Sequence, residues 1–152
     1  MFNLPKYDII QCDQEYVYSF VSKGINGAYQ IFVRFEPSYV KNIYQFEFGP
    51  LNPQTNLIDT SFIINNQDTD LIIGTAIYII DLFLKLNPNG IVRFSGSTAS
   101  RSRLFCIWIV KNLEELHNLF LIYGCTLNNK WEKFKKNNRY EAILFKSINT
   151  YT

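Results

Sequence analysis

The sequence predicts one α+β domain, an antiparallel-rich mixed sheet carrying two main helices in the order β-β-β-(β)-α-β-α-β-β. Two observations carry most of that prediction. The chain up to Phe48 alternates aromatic and β-branched side chains with period two, in runs separated by turn residues. Residues 70–86 are apolar nearly all round and stop at Asn87-Pro88-Asn89-Gly90, the pattern of a helix buried against a sheet. A third observation bounds the size: 152 residues, 47% apolar and 18% charged, suit a single packed core rather than a disordered chain.

The elements follow in order. Glu15 to Ser22 alternates Tyr16, Tyr18 and Phe20 with Val17, Ser19 and Val21, and Ala28 to Glu36 carries Tyr29, Ile31, Val33 and Phe35 on one parity. Lys23-Gly24-Ile25-Asn26-Gly27 lies between them, and its glycines and asparagine accept the positive φ of a hairpin turn. Asn42 to Phe48 makes a third strand, so the sheet begins as a meander. From Gly49 to Asp68 the chain reads as a long loop with one short strand near Ile58 to Ile64. Asp68 or Thr69 caps a helix from about Asp70 to Leu86, and Ile91 to Ser95 is a short strand. A second helix starts after Ser97 or Thr98 and runs to about Asn112, with Leu104, Ile107, Trp108 and Lys111 on one stripe. Leu119 to Tyr123 is a strand, Asn128 to Asn138 a polar turn or short helix, and Tyr140 to Lys146 the closing strand.

Composition excludes several function classes. His117 is the single histidine, and Cys12, Cys106 and Cys125 lie far apart, so zinc sites and Ser-His triads have little material and no metal is expected. The scattered, odd-numbered cysteines point to reduced thiols. Met1 to Lys6 lacks the features of a signal peptide, and the longest apolar run, Leu71 to Leu86, carries Asp81 and Lys85 and is too short to span a bilayer. A soluble, cytoplasmic protein is the expectation. Charge is unevenly placed: up to Gly90 the chain has five basic and nine acidic residues, and from Ile91 onward ten basic and four acidic. A basic C-terminal part attracts phosphates or an acidic partner, or is simply a solvated lysine-rich face.

The most suggestive segment is Gly96-Ser97-Thr98-Ala99-Ser100-Arg101-Ser102-Arg103. A strand running into Gly-Ser-Thr and then a helix gathers backbone N–H groups and two hydroxyls at the positive end of the helix dipole. Gly96 allows close backbone approach, and Arg101 and Arg103 add bidentate donors suited to phosphate. Cations at a helix start are disfavoured by about 0.3 to 1 kcal/mol each, so something offsets them. Two readings remain open: a bound anion, or pairing of Arg101 and Arg103 with Asp59, Asp68 or Asp70. The segment is neither a P-loop nor a dinucleotide fingerprint.

This stretch resembles the motif of a group of small uncharacterised bacterial proteins, a domain of unknown function, whose strand ends in G-S-T-x-A-R-T-R-L-Y; here it reads Gly96 to Phe105. Phe20-Val21-Ser22-Lys23-Gly24, Tyr44 to Gly49, Ile58-Asp59, Asn65 to Asp68 and Tyr140-Glu141-Ala142 extend the resemblance over nearly the whole chain. Ser100, Ser102 and Gln67 depart from the usual Ala, Thr and Gly. By element order the chain is also similar to the back part of GNAT-type acetyltransferases. The stretch Asn65 to Gly74 lacks their [QR]-x-x-G-x-[GA] cofactor pattern, so no cofactor is expected.

Three functions stay in play. The first is a non-catalytic binding module whose anion site at Gly96, Ser97, Thr98, Arg101 and Arg103 takes a nucleotide, nucleic acid or the carboxylates of a protein partner, a role that suits a defence or toxin–antitoxin pair. The second is a transferase acting on a phosphorylated or CoA-linked substrate, with Asp59, Asp68 and Glu141 as supporting acids and bases. The third is an interaction scaffold, with a homodimer as one form of it.

Overall fold

The computed structural model describes residues 2–11, 16–52, 54–60, 67–96 and 98–148. The elements are β1 (Ile10–Gln11), β2 (Val17–Gly24), β3 (Gly27–Pro37), β4 (Ile43–Gly49), α1 (Thr69–Leu86), β5 (Ile91–Phe94), α2 (Ala99–Lys111), α3 (Leu113–Leu116), β6 (Phe120–Cys125), β7 (Trp131–Lys133) and β8 (Ala142–Ser147). Among the described residues the strands form one eight-stranded sheet in the order β1-β2-β3-β4-β5-β8-β6-β7. Every pairing is antiparallel except β4 with β5, which α1 connects as a crossover. The α+β class and the two main helices are as the sequence predicts.

Period two in the strands delivers one apolar face. Phe35 stands opposite Phe46, Tyr44 opposite Val92, and Val92 opposite Phe145, so the large side chains of four neighbouring strands share a side. Both main helices lie on it. Phe83 of α1 stacks on Phe35 at 3.9 Å, and Phe105 of α2 stacks on Phe94 at 4.2 Å. The opposite face is polar and more open, with Arg34 reaching Glu36 and Glu47, and Arg93 donating to Gln45 at 2.9 Å. No helix is long and apolar enough to cross a membrane among the described residues.

Several local expectations change. The segment from Asn128 to Asn138 contains β7 rather than a turn or short helix alone; Trp131 to Lys133 is short and unconvincing as a strand until β6 offers it an edge to pair with. The stripe on α2 is rotated: Phe105, Trp108 and Ile109 are buried, whereas Leu104 and Ile107 are exposed, because the stacking of Phe105 on Phe94 sets the facing side. The two-residue β1 and the four-residue α3 are too short to leave a periodic signal in the sequence. Of the expected strand near Ile58 to Ile64, Ile58 makes an isolated antiparallel bridge with Leu51, and residues 61–66 lie outside the described residues.

Asp68 serves the fold. It is buried at the start of α1, and its Oδ2 accepts hydrogen bonds from the Tyr7 hydroxyl and the Ser22 hydroxyl, each 2.6 Å, while Tyr7 N–H donates to Thr75 Oγ1 at 2.8 Å. One carboxylate oxygen thus ties the N-terminal segment, β2 and α1 together.

Candidate functional site

The connection from β5 to α2 is held by its own side chains. Thr98 is the N-cap of α2, in extended conformation, with its Oγ1 accepting from Arg101 N–H at 3.2 Å. Ser102 Oγ accepts from Gly96 N–H at 3.0 Å. A Cβ at Gly96 would fall 2.5 Å from Ser102 N, so the close approach at this glycine is to the helix itself. Ser97 lies outside the described residues. The first turn of α2 contains no acidic residue.

The two arginines take different directions. Half-buried Arg101 donates from Nη1 to Thr60 O at 2.7 Å, and it lines a concavity of ≈ 530 Å³ walled by Phe46, Phe48, Ile72, Phe94 and Leu104. Exposed Arg103 lines a second concavity, a groove of ≈ 900 Å³ on the other side of α2, together with Gly96 and Thr98. Asp70 pairs with Lys111 at 3.4 Å, and Asp68 binds Tyr7 and Ser22. Asp59, half-buried, donates its N–H to Pro50 O at 2.8 Å and lines neither concavity. Glu141 lines the groove beside Arg103.

One wall of the groove is the α2 face made by Ala99, Arg103, Cys106, Ile107 and Val110; the other is the segment 134–141, with Leu127 at the β6–β7 turn. The second wall adds Lys136 and Arg139, so three cations and one carboxylate, Glu141, face the same space. Among the described residues none of these three cations forms an ion pair. Lys136, Arg139 and Asn137 were not singled out as site residues from sequence. Their only forewarning there was the excess of basic residues after Ile91.

Tyr140, which lines the groove, is held from several sides. Gly124 of β6 leaves room for the Tyr140 ring, since a Cβ there would sit 2.3 Å from Tyr140 Cδ1. The Tyr140 hydroxyl donates to Glu132 Oε2 at 2.7 Å and accepts from Lys135 N–H at 3.0 Å, and Asn138 Nδ2 donates to the same Glu132 oxygen. The bond from Tyr140, then that from Asn138, holds the Glu132 carboxyl below its ordinary range; burial, then the Glu132 bond, pushes the Tyr140 hydroxyl up. Burial likewise raises the Cys106 thiol to about 11, which keeps it protonated at neutral pH and a poor nucleophile.

Comparison with known proteins matches residues 3–148 to one family model. The chain belongs to DUF6934, a family of unknown function. No curated protein and no solved structure matches it. In this member of DUF6934 the groove beside α2 brings together basic side chains from two distant parts of the chain.

Proposed function

We propose that this DUF6934 domain is a non-catalytic module that binds a phosphate-bearing ligand in the groove between α2 and residues 134–141. The carrying observation is that Arg103, Lys136 and Arg139, drawn from two distant parts of the chain, line one concavity without an ion pair among the described residues. Three like charges around one space raise its potential and repel one another, and an incoming anion removes that repulsion. Guanidinium groups offer the bidentate geometry phosphate accepts. The Thr98 and Ser100 hydroxyls, on the same wall, supply further donors at the positive end of α2. Arg101 has a supporting part: its bond to Thr60 O anchors the start of α2 to the loop after β4.

The test is thermal stabilisation by inorganic pyrophosphate, a nucleotide panel and an oligonucleotide at low salt. A ligand at a hundredfold excess over its Kd adds about 2.7 kcal/mol, and the effect weakens as salt rises. Arg103→Gln combined with Arg139→Gln abolishes the stabilisation without lowering the unliganded Tm, because both side chains are exposed and their removal relieves like-charge repulsion. Absence of a shift with every probe, or an equal shift in the double variant, refutes the reading.

A further inference from the structure

We propose that the groove's ligand is a small phosphorylated molecule with a flat body, of the nucleoside-phosphate class, its phosphate at the Arg103 end of α2 and its base along Ile107 and Val110. This rests on the phosphate reading above and names the class of ligand.

Ala99, Arg103, Ile107 and Val110 recur every three or four residues, with Cys106 beside Ile107, and form one wall. Arg103 and Val110 are separated by about 10 Å along the helix axis, at 1.5 Å per residue. Chemistry changes steadily over that distance, from hydroxyls and a guanidinium to a protonated thiol and two branched aliphatics. Leu127, from the β6–β7 turn, lines the same space; it is 66% exposed and Ile107 is 56% exposed. Large aliphatic side chains left open to water in the same groove as three cations describe a two-part site.

The facing wall decides what sort of body fits. It carries Lys136, Asn137 and Arg139, so an aliphatic chain lying along α2 would leave those groups facing hydrocarbon without partners. A nucleobase has an apolar face for Ile107 and Val110 and a hydrogen-bonding edge for the Asn137 amide. The volume, ≈ 900 Å³, lies within the range of small-molecule sites. A nucleic-acid strand, by contrast, is normally held along a track of several phosphate contacts with aromatic platforms for its bases. The groove's aromatic members, Phe134 and Tyr140, are buried beneath its surface rather than presented for stacking.

Titration calorimetry on the whole chain tests this with ribose 5-phosphate, the four nucleoside monophosphates, and a single-stranded ten-nucleotide probe. At least one nucleoside monophosphate should bind roughly tenfold or more tighter than ribose 5-phosphate. Ile107→Ser should remove that advantage while leaving ribose 5-phosphate unaffected, and Arg103→Gln should weaken both. If ribose 5-phosphate binds through Arg103 but no base improves on it, the two-part site is wrong and the phosphate reading survives. If the oligonucleotide binds more tightly than every monophosphate, the ligand is a polymer and the inference is overturned. If no probe binds, the phosphate reading itself has failed.

Discussion

Gly124 and Tyr140 offer the sharpest physical test of how the groove is built. Substituting Gly124→Ala places a Cβ 2.3 Å from Tyr140 Cδ1 and 2.4 Å from Cε1 and Cγ, well inside van der Waals contact. The ring cannot swing aside freely, because its hydroxyl is fixed by Glu132 and by Lys135 N–H and its face packs on Phe134 at 5.1 Å. Overpacking of this kind costs about 1–3 kcal/mol. Displacing the ring also strains two hydrogen bonds, one to a carboxylate, so we expect a total loss of about 2–4 kcal/mol. Urea denaturation reads this as a lower midpoint at unchanged slope. In a Tyr140→Ala background the same substitution meets open space and should become neutral or stabilising by up to about 1 kcal/mol, since alanine is preferred to glycine within a strand. A cost under about 0.5 kcal/mol in the wild-type background, or the same cost in both backgrounds, refutes the reasoning.

Two further outcomes follow from the hydrogen-bond networks. Asp68→Ala removes the 2.6 Å acceptor of the buried Ser22 hydroxyl and of the half-buried Tyr7 hydroxyl, which keeps Lys23 O at 3.1 Å, and should lower stability by about 1–3 kcal/mol in the same urea assay; a change within about 0.5 kcal/mol would show that the three-way tie is dispensable. For Glu132 the folded-state pKa lies below the ordinary 4.5, so its contribution is complete above that value and is lost as pH falls through the folded value. The stability gap between the wild type and Tyr140→Phe should therefore be widest near neutrality and narrow below about pH 4.5; a gap constant from neutral pH down to pH 3 would exclude the Tyr140–Glu132 bond as its source.

What the sequence determined by itself was everything governed by short-range rules. Alternation placed β2, β3 and β4, the turn at Gly24 to Gly27 joined the first pair, and Asn87-Pro88-Asn89-Gly90 ended α1 where a helix cannot continue. A cap at Ser97 or Thr98 was legible because capping depends on a residue and its next three neighbours, and the structure places it at Thr98. Gly96, Thr98 and Arg103 were also visible as one segment, for the same reason.

Only the tertiary structure decided which way that segment faces and what stands across from it. α2 carries apolar side chains on more than one side, so periodicity put Leu104 and Ile107 on one stripe with Trp108; with Phe105 packed on Phe94, Trp108 is buried while Leu104 and Ile107 stay exposed and line the two concavities. Arg101 and Arg103, two residues apart on one helix, point to different sides whatever its rotation, and packing decided only which concavity each lines. Lys136 and Arg139 reach the groove because β8 inserts between β5 and β6, which brings the residues just before it beside the loop at Gly96. That pairing joins stretches some fifty residues apart, Phe94 to Ile143 in one register, and it is chosen by the summed burial of both strands. No local pattern near Lys136 carries that information, so the sequence left the basic run open between an anion-attracting part and a solvated face, and only the fold makes Lys136 and Arg139 part of a groove wall.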